Sequence, residues 1–165
     1  MEICMKKCVA NEGKDIYQFL CDLGSGENGF ELTAPENFQH FKSIIEKFKN
    51  DESENQKPGR VPQEIYWMYA QGVPVAMVKI RWQLTDHLLI KGGHVGYSVS
   101  PVHRGRGYGN RVLKEGLKIL GEKGVRSVLV TANEDNLLSR KVIEFNGGVL
   151  KDIIDSHCRY WIDNN

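Results

Sequence analysis

The stretch from residue 93 to residue 109 joins a strand pattern to a helix pattern through a turn rich in glycine and arginine. Apolar residues alternate with small or polar ones up to Ser100, as in a strand with two different faces. Pro101 ends this strand, because proline has no N–H to give to a neighbouring strand. Helical spacing then runs from about Asn110 to Gly121. The chain must therefore fold with this turn at the N-terminal end of a helix.

The turn itself has the sequence Arg-Gly-Arg-Gly-Tyr-Gly over residues 104–109. Main-chain N–H groups at the start of a helix lie at the positive end of its dipole, which suits phosphate oxygens. Glycines let the main chain approach an anion closely, and two arginines add charge-assisted contacts. The turn therefore predicts an anion site. A basic, solvated turn without a ligand is the alternative.

Two common phosphate-binding patterns do not match this turn. A P-loop ends in Gly-Lys-Ser/Thr, which is absent here. The dinucleotide fingerprint needs the spacing G-x-G-x-x-G, whereas these glycines fall at 105, 107 and 109. The pattern that fits is Arg/Gln-x-x-Gly-x-Gly/Ala, with Arg104, Gly107 and Gly109. Together with the preceding Val-Ser-Pro-Val-His, it resembles the coenzyme A pyrophosphate loop of the GNAT superfamily of acetyltransferases.

A second segment carries the same resemblance. A β-branched strand pattern at 125–131 is followed by Asn136-x-x-Ser139 and by a helix that ends at Asn146-Gly147-Gly148, a helix-stop signal. This order resembles the second signature of the superfamily, in which the asparagine contacts the pantetheine arm of the coenzyme. The resemblance spans roughly residues 66–162.

The resemblance implies an acetyl-CoA-dependent N-acetyltransferase, in which a primary amine of a small molecule or peptide attacks the thioester directly. The main-chain N–H of Tyr97 would face the acetyl carbonyl, as the catalytic contact. The residues implied to bind the coenzyme are Val99, through its main chain, with Arg104, Gly105, Arg106, Gly107, Tyr108, Gly109, Asn136 and Ser139. No motif identifies the acceptor amine.

The catalytic acid and base are less clear from the sequence. Ile143 occupies the position of the usual tyrosine acid, and Gly148 that of the phenylalanine that closes the second signature. The position where relatives often carry a glutamate base falls at or next to Gly93. His94 is a candidate base, although a structural histidine or a water relay fits equally. Tyr160 is a candidate acid, with packing as its default role.

The resemblance implies an α/β fold with a mixed, mostly antiparallel sheet of about seven strands, one central parallel pair, and helices on both faces. Periodicity alone predicts a strand at 2–9, helices at 14–23 and 35–49, a hairpin of strands 64–70 and 75–81, and a closing hairpin of strands 149–154 and 157–162. Residues 24–29 are predicted as a loop and 50–62 as a surface segment. Residues 84–90 fit either a helical turn or a strand.

Length and composition place the chain in an ordinary class. A length of 165 residues predicts one domain, 1–165. The net charge of +1 gives no reason to expect a nucleic acid or a membrane surface as partner. No apolar run approaches the ~20 residues that span a bilayer, and the first residues lack an apolar signal core, so a cytoplasmic protein is expected. Dimers are common in the superfamily, which leaves a homodimer open.

The cysteines and histidines do not suggest a metal. The four cysteines are scattered, and the histidines form no i, i+4 pair, so we predict buried thiols and no metal site. Two other functions remain open at this point. One is a module that binds CoA or acyl-CoA without transferase activity, which would fit the missing tyrosine and glutamate. The other is a protein that binds a different phosphate ligand on the same turn.

Overall fold

The computed structural model describes residues 2–27 and 30–165. Within them the chain forms nine β-strands and five α-helices. In chain order these are β1 (Ile3–Lys7), α1 (Lys14–Leu23), β2 (Gly26–Glu27), β3 (Phe30–Glu31), α2 (Phe38–Asn50), β4 (Glu64–Ala70), β5 (Val73–Ile80), α3 (Asp86–Ile90), β6 (Val95–Val99), α4 (Tyr108–Glu122), β7 (Ser127–Asn133), α5 (Leu137–Phe145), β8 (Val149–Ile154) and β9 (His157–Asp163). A short 3₁₀ helix, Pro101–His103, follows β6.

Seven of these strands form two antiparallel sheets. The first has the strand order β1-β4-β5-β6 and the second the order β7-β9-β8. Both predicted hairpins are present, and each turns through two residues with positive φ: Gln71 (51°) with Gly72 (79°), and Asp155 (50°) with Ser156 (63°). Two-residue hairpins need this conformation, because its twist matches that of the strands. The remaining two strands, β2 and β3, form a small ladder of their own.

The two sheets meet just before β6. The His94 N–H donates to the Leu129 carbonyl at 2.9 Å, and the Leu129 N–H donates to Nδ1 of His94, also at 2.9 Å. Gly93 makes this approach possible. Its φ is +60°, and a Cβ there would collide with the Leu129 carbonyl oxygen. In the described part of the chain, β6 and β7 form no ladder beyond this point.

The α/β fold and its mostly antiparallel strands agree with the prediction, but the sheet differs in detail. The sequence led us to expect about seven strands in one sheet with a central parallel pair. The structure has two sheets, and the two strands expected to pair, β6 and β7, make contact through His94 instead. Periodicity identifies strands but not their partners. Here the main-chain groups at the end of β6 face a cleft rather than a neighbouring strand.

Helices pack on both faces of the first sheet, as predicted. Successive residues of a strand point to opposite faces. Met68 of β4 is therefore buried with α4, and its neighbour Trp67 is buried with α1 and α2. Helix α4 lies close to the sheet because Gly116 has no side chain; a Cβ there would lie 3.1 Å from Cγ2 of Val78.

Most helix boundaries follow the predicted pattern. Helix α1 has the predicted limits and buries the expected residues, Ile16, Phe19, Leu20 and Leu23. Helix α2 begins at Phe38 rather than residue 35, because Oδ1 of Asn37 accepts the His40 N–H at 2.8 Å and caps the helix there. The ambiguous segment 84–90 contains α3, which is capped by Thr85.

Three smaller predictions have mixed outcomes. The thiols of Cys8 and Cys158 are buried as predicted, but Cys4 is exposed, because β1 ends at Lys7 and the two N-terminal cysteines do not share a buried face. The loop predicted at 24–29 carries part of the β2–β3 ladder, and Asn28 and Gly29 of that prediction lie outside the described residues. Across 2–27 and 30–165, no helix is long and apolar enough to cross a membrane.

Candidate functional site

A cleft of about 900 Å³ opens where β6 and β7 separate. Residues 95–99 form one wall and residues 130–133 the other. The glycine-rich turn and the first turn of α5 line one side of the cleft, and residues of β3 and α3 line the other. The predicted anion site thus lies in a cavity large enough for an extended ligand.

The main chain of β6 faces this cleft at alternate residues. The His94 carbonyl accepts the N–H of Arg81, the residue after β5, at 2.8 Å, and the Ser100 N–H donates to the Val75 carbonyl of β5 at 2.9 Å. In an antiparallel ladder, hydrogen-bonded pairs alternate with pairs whose N–H and C=O groups point away. Positions 94 and 100 are bonded, so the even-numbered residues of this segment bond to the neighbouring strand. The main-chain groups of the odd-numbered residues Tyr97 and Val99 therefore point away from β5 and toward the cleft. This is the orientation that the resemblance implied for both residues.

The glycine-rich turn has the conformation expected of an anion cradle. Gly105 and Gly107 have φ values of 76° and 81°, which favour glycine. Gly107 is the N-cap of α4, and no side chain caps the helix there. No described atom lies within 4 Å of the place where a Cβ would stand on either glycine, so the space before the helix is open.

The side chains of the turn are used mainly to hold it. Nε of Arg104 donates to the Val99 carbonyl at 3.2 Å, and its Nη1 is 3.0 Å from Oε2 of Glu27. Tyr108 is 7% exposed and packs in the core, although it also lines the cleft. Arg106 is exposed and is not among the residues that line the cleft.

The two residues predicted on α5 meet at the cleft. Asn136 is the N-cap of α5, and its Oδ1 accepts the Ser139 N–H at 3.2 Å. The Tyr97 hydroxyl lies 3.0 Å from Oγ of Ser139, so its side chain reaches from β6 to α5. Burial raises the pKa of Tyr97 to about 12, which keeps the phenol protonated at neutral pH.

The two departures from the second signature lie in contact with each other. Ile143 is 0% exposed and packs in the core, and it does not line the cleft. The Gly148 N–H donates to the Ile143 carbonyl at 2.9 Å. A Cβ on residue 148 would lie 2.8 Å from that carbonyl oxygen, so no larger residue fits without a shift. Ile143 therefore packs in the core and offers no hydroxyl group that could act as an acid.

His94 is bound into the join between the sheets. The ring is 8% exposed, Nδ1 accepts the Leu129 N–H, and the residue does not line the cleft. Burial, and next the charge of Arg81, lower the pKa of His94 from 6.5 to about 4. The imidazole is thus neutral at physiological pH, with one nitrogen already occupied. This arrangement favours the structural role that the sequence left open over that of a base.

Tyr160 is also a core residue. It is 0% exposed, and its hydroxyl donates to Oε1 of Glu144 at 2.9 Å while accepting Nε–H of Arg140 at the same distance. Both partners belong to α5, so the hydroxyl ties β9 to that helix. Tyr160 does not line the cleft, so its position favours packing over the role of an acid.

Several residues of the cleft were missed in the sequence. They include Lys79, Arg81, Lys91 and His157. A signal for Lys79 was present, since it interrupts the otherwise apolar strand β5. Nδ1 of His157 is buried without a hydrogen-bond partner in the described part of the chain. Nothing in the local sequence distinguishes His157 from the other histidines, because only the β7–β9 pairing brings it to the cleft.

Comparison with known protein sequences identifies a family. A sequence model of the Acetyltransferase (GNAT) family matches residues 30–147. That match includes the glycine-rich turn and α5. A search of curated protein sequences finds no match.

Solved structures share the fold. The GNAT domain of PAT from S. lividans has a TM-score of 0.68 and 17% identity, covering 96% of this chain and 89% of that one. The Campylobacter jejuni N-acetyltransferase PseH, in complex with acetyl coenzyme A, has a TM-score of 0.68 and 11% identity, covering 99% and 100%. RimL, a ribosomal L7/L12 α-N-protein acetyltransferase in complex with coenzyme A, has a TM-score of 0.71 and 12% identity, covering 99% and 96%. These identities are low and show the fold alone, but the family model covers most of the chain, and the chain therefore belongs to the GNAT family of acetyltransferases.

Proposed function

We propose that this chain, as a single domain, is an N-acetyltransferase that moves an acetyl group from acetyl-CoA to a primary amine by direct attack. The observation that carries the proposal is the cleft between β6 and β7, which begins at an uncapped helix N-terminus and runs along main-chain groups of β6 that point away from β5. A small molecule or a peptide could present the amine. Acetyl-CoA acts as co-substrate and supplies the activated acyl group as a thioester.

The residues of the cleft suit the parts of the coenzyme. We assign the pyrophosphate to the N–H groups of the turn at 104–109, since a helix start and two glycines with positive φ favour an anion. We assign the pantetheine amide to the main chain of Val99. Oδ1 of Asn136 already accepts the Ser139 N–H, so its amide nitrogen remains for the pantetheine arm.

The same cleft offers groups for the chemistry. The Tyr97 N–H would polarise the acetyl carbonyl as negative charge develops on its oxygen. The Tyr97 phenol, with its raised pKa, would donate a hydrogen bond to the departing sulfur, a role that Ile143 cannot fill. We assign the amine proton to His157, whose Nδ1 has no described partner and which lines the cleft. Formation of the C–N bond then accompanies cleavage of the C–S bond.

Two measurements test this function. Calorimetric titration with acetyl-CoA should show binding, and a nucleotide of similar charge should bind more weakly, because it cannot contact Val99 and Asn136. Release of CoA thiol in the presence of a broad amine panel should then show turnover. Tight acetyl-CoA binding without turnover on any amine would favour the CoA-binding module. Equal affinity for the nucleotide would favour a different phosphate ligand.

A further inference from the structure

The charged residues that line the cleft are mostly cations. They comprise Lys79, Arg81, Lys91, Arg104 and Lys141, against the carboxylates of Glu27 and Glu31. The chain as a whole has 22 lysines and arginines and 21 aspartates and glutamates. The excess of positive charge in the described cleft is thus a local feature and does not follow from composition.

Three of these cations form a group that we call the lysine side: Lys79, Arg81 and Lys91. Lys79 pairs with Gly96, near the start of β6, and the guanidinium of Arg81 donates to the Gly93 carbonyl at 3.2 Å. The glycine-rich turn follows the other end of β6. The lysine side is therefore separated from the proposed pyrophosphate site by most of the length of that strand.

The lysine side also lies on the opposite face of β6 from α5. Nζ of Lys79 is 4.5 Å from the centre of the Phe30 ring. A Cβ on Gly96 would contact the same ring at 3.4 Å. The next residue, Tyr97, points the other way and meets Ser139. An acceptor on the lysine side and a coenzyme along α4 and α5 would approach the strand from different faces.

The cations of the lysine side have little negative charge to balance them. Nζ of Lys79 donates to the main-chain carbonyl of Glu31 at 2.8 Å, and Arg81 donates to the neutral amide oxygen of Gln63 at 3.0 Å. Lys91 is 3.4 Å from Oε1 of Glu31, whose side chain is 85% exposed. Among the described residues, no carboxylate forms an ion pair with Lys79 or Arg81.

A partly buried cation without a counter-charge is costly, because the charged form loses hydration. The pKa of Lys79 reflects this cost: burial, and next the charge of Arg81, lower it from 10.5 to about 8. An anion bound between Lys79 and Lys91 would replace the lost hydration with charge-assisted hydrogen bonds.

Building on the proposed acetyl transfer, we infer that the acceptor is an amine that also carries an oxyanion, a carboxylate or a phosphonate, and that Lys79 and Lys91 bind this oxyanion. Arg81 holds the loop before β6 through its carbonyl contacts and adds to the positive field. A polyamine would bring further positive charge to the lysine side and is disfavoured by the same electrostatics.

The test compares acceptors with a common carbon skeleton: α-amino acids, their carboxamides and their aminophosphonic acid analogues. The carboxamides have the more easily deprotonated amine, so a preference for the acid cannot come from amine availability. We expect kcat/KM for the best acid or phosphonate to exceed that of its carboxamide by at least about 10-fold, the effect of one charge-assisted hydrogen bond. The preference should weaken as salt is added.

Two variants locate the effect. Lys79→Met keeps the apolar length of the side chain and should remove the preference, because the rate with the acid should fall far more than the rate with the carboxamide. Lys118→Met removes an exposed charge that lies 3.1 Å from Glu115 on α4, and should keep the preference. A preference that persists in Lys79→Met, or better rates with carboxamides or polyamines, would overturn the inference and leave acetyl transfer intact.

Binding measurements separate this inference from the proposed function. Lys79→Met should bind acetyl-CoA as the wild type does; a lower affinity would mean that the lysine side serves the coenzyme, and the inference would be wrong. Failure of the wild type to bind acetyl-CoA would instead contradict the proposed function. If no amine is acetylated, calorimetric titration of the acids and carboxamides in the presence of CoA still tests whether the lysine side binds an oxyanion. Acid binding that Lys79→Met loses supports the inference, and absence of any acid binding refutes it.

Discussion

The cleft has two sides that are built in different ways. The turn side, formed by residues 104–109 with Asn136 and Ser139, offers mainly main-chain groups and a helix N-terminus. The lysine side offers the ends of side chains from β5 and from the segment after α3. Main-chain sites need glycines and caps at fixed spacing, so they leave a pattern in the local sequence. A side-chain site needs only that the fold bring its members together, and its one signal in the local sequence here is Lys79, which interrupts the apolar strand β5.

This difference also affects how each side responds to substitution. On the turn side, a change of backbone conformation should remove several ligand contacts together, because the N–H groups act as a set. On the lysine side, each substitution should remove one charge and alter acceptor preference only. The four predictions below begin with the largest expected effect; they test the turn side and the residues beside it, and the Lys79→Met variant tests the lysine side.

Gly107→Val should lower the affinity for acetyl-CoA by about 10³-fold, the loss expected when two or more charge-assisted hydrogen bonds are removed. Gly107 has a φ of 81°, which valine adopts only with strain, and its side chain would enter the open space before α4. Calorimetry measures the affinity, and circular dichroism checks the fold.

Gly124→Val is the matched control for strain. Gly124 has a φ of 84°, also with no described atom near a Cβ, but it lies beyond the C-terminal end of α4. Both variants should lose a similar stability, roughly 1–2 kcal/mol. If both lose coenzyme affinity equally, the effect comes from strain in α4, and the turn is no longer supported as the pyrophosphate site.

Tyr97→Phe should reduce turnover by about 10²-fold, the usual cost of one hydrogen-bond donor to developing negative charge. The KM for acetyl-CoA should change little, because the main chain of residue 97 is retained. Tyr69→Phe is the control: its hydroxyl donates to Oδ2 of Asp15 at 2.8 Å, and the residue does not line the cleft. Full turnover in Tyr97→Phe would exclude the phenol as a hydrogen-bond donor to the sulfur and would leave only the proposed role of the Tyr97 main-chain N–H.

The local conformation of the turn side has a signal in the sequence for physical reasons. The glycine spacing and the proline that ends the strand each fix a local conformation, and the helix limits of α1 follow from its apolar stripe. Local periodicity does not show where β6 and β7 separate, because this depends on the contact of His94 with Leu129, 35 positions later in the chain.

The catalytic groups show the same limit. The sequence makes His94 a candidate base because it lies next to the usual glutamate position, but the structure places its ring in the join between the sheets. His157 reaches the cleft only because β9 pairs with β7, which places it opposite Asn133. Because the walls of the cleft come from two sheets, residues that are close in the sequence need not be close to each other in the cleft.

Asn136 tests the turn side at a single side chain. Asn136→Asp keeps an oxygen that can accept the Ser139 N–H and so preserves the cap, but it removes the amide donor. We expect this variant to keep its thermal stability and to lose roughly 1–2 kcal/mol of acetyl-CoA affinity, about 10-fold.

Asn136→Ala should lose both the cap and the ligand contact. Its stability should fall by about 1 kcal/mol in addition to the loss of affinity. The two roles separate cleanly: wild-type affinity in Asn136→Asp, together with reduced stability in Asn136→Ala, would make Asn136 a cap and nothing more.

His94→Gln should have the smallest effect on catalysis, since the ring does not line the cleft and its pKa lies far below neutrality. Turnover and its pH profile near neutrality should match the wild type. Glutamine can also offer an oxygen to the Leu129 N–H, so the join between the sheets should survive. A loss of turnover on the scale of a missing acid–base group, about 10²-fold, would return His94 to the chemistry.

The clearest effect of this variant should be on stability in acid. In the folded chain the pKa of His94 is about 4, against 6.5 ordinarily. As the pH falls from 6.5 toward 4, the unfolded chain therefore binds a proton at this histidine that the folded chain does not, and the free energy of unfolding decreases. His94→Gln has no such group, so its melting temperature should fall less over this interval. His87→Gln, at an exposed histidine, should retain the wild-type fall. Identical acid sensitivity in all three proteins would mean that the His94 ring is hydrated and free to titrate. The ring would then be accessible to solvent and could belong to the cleft.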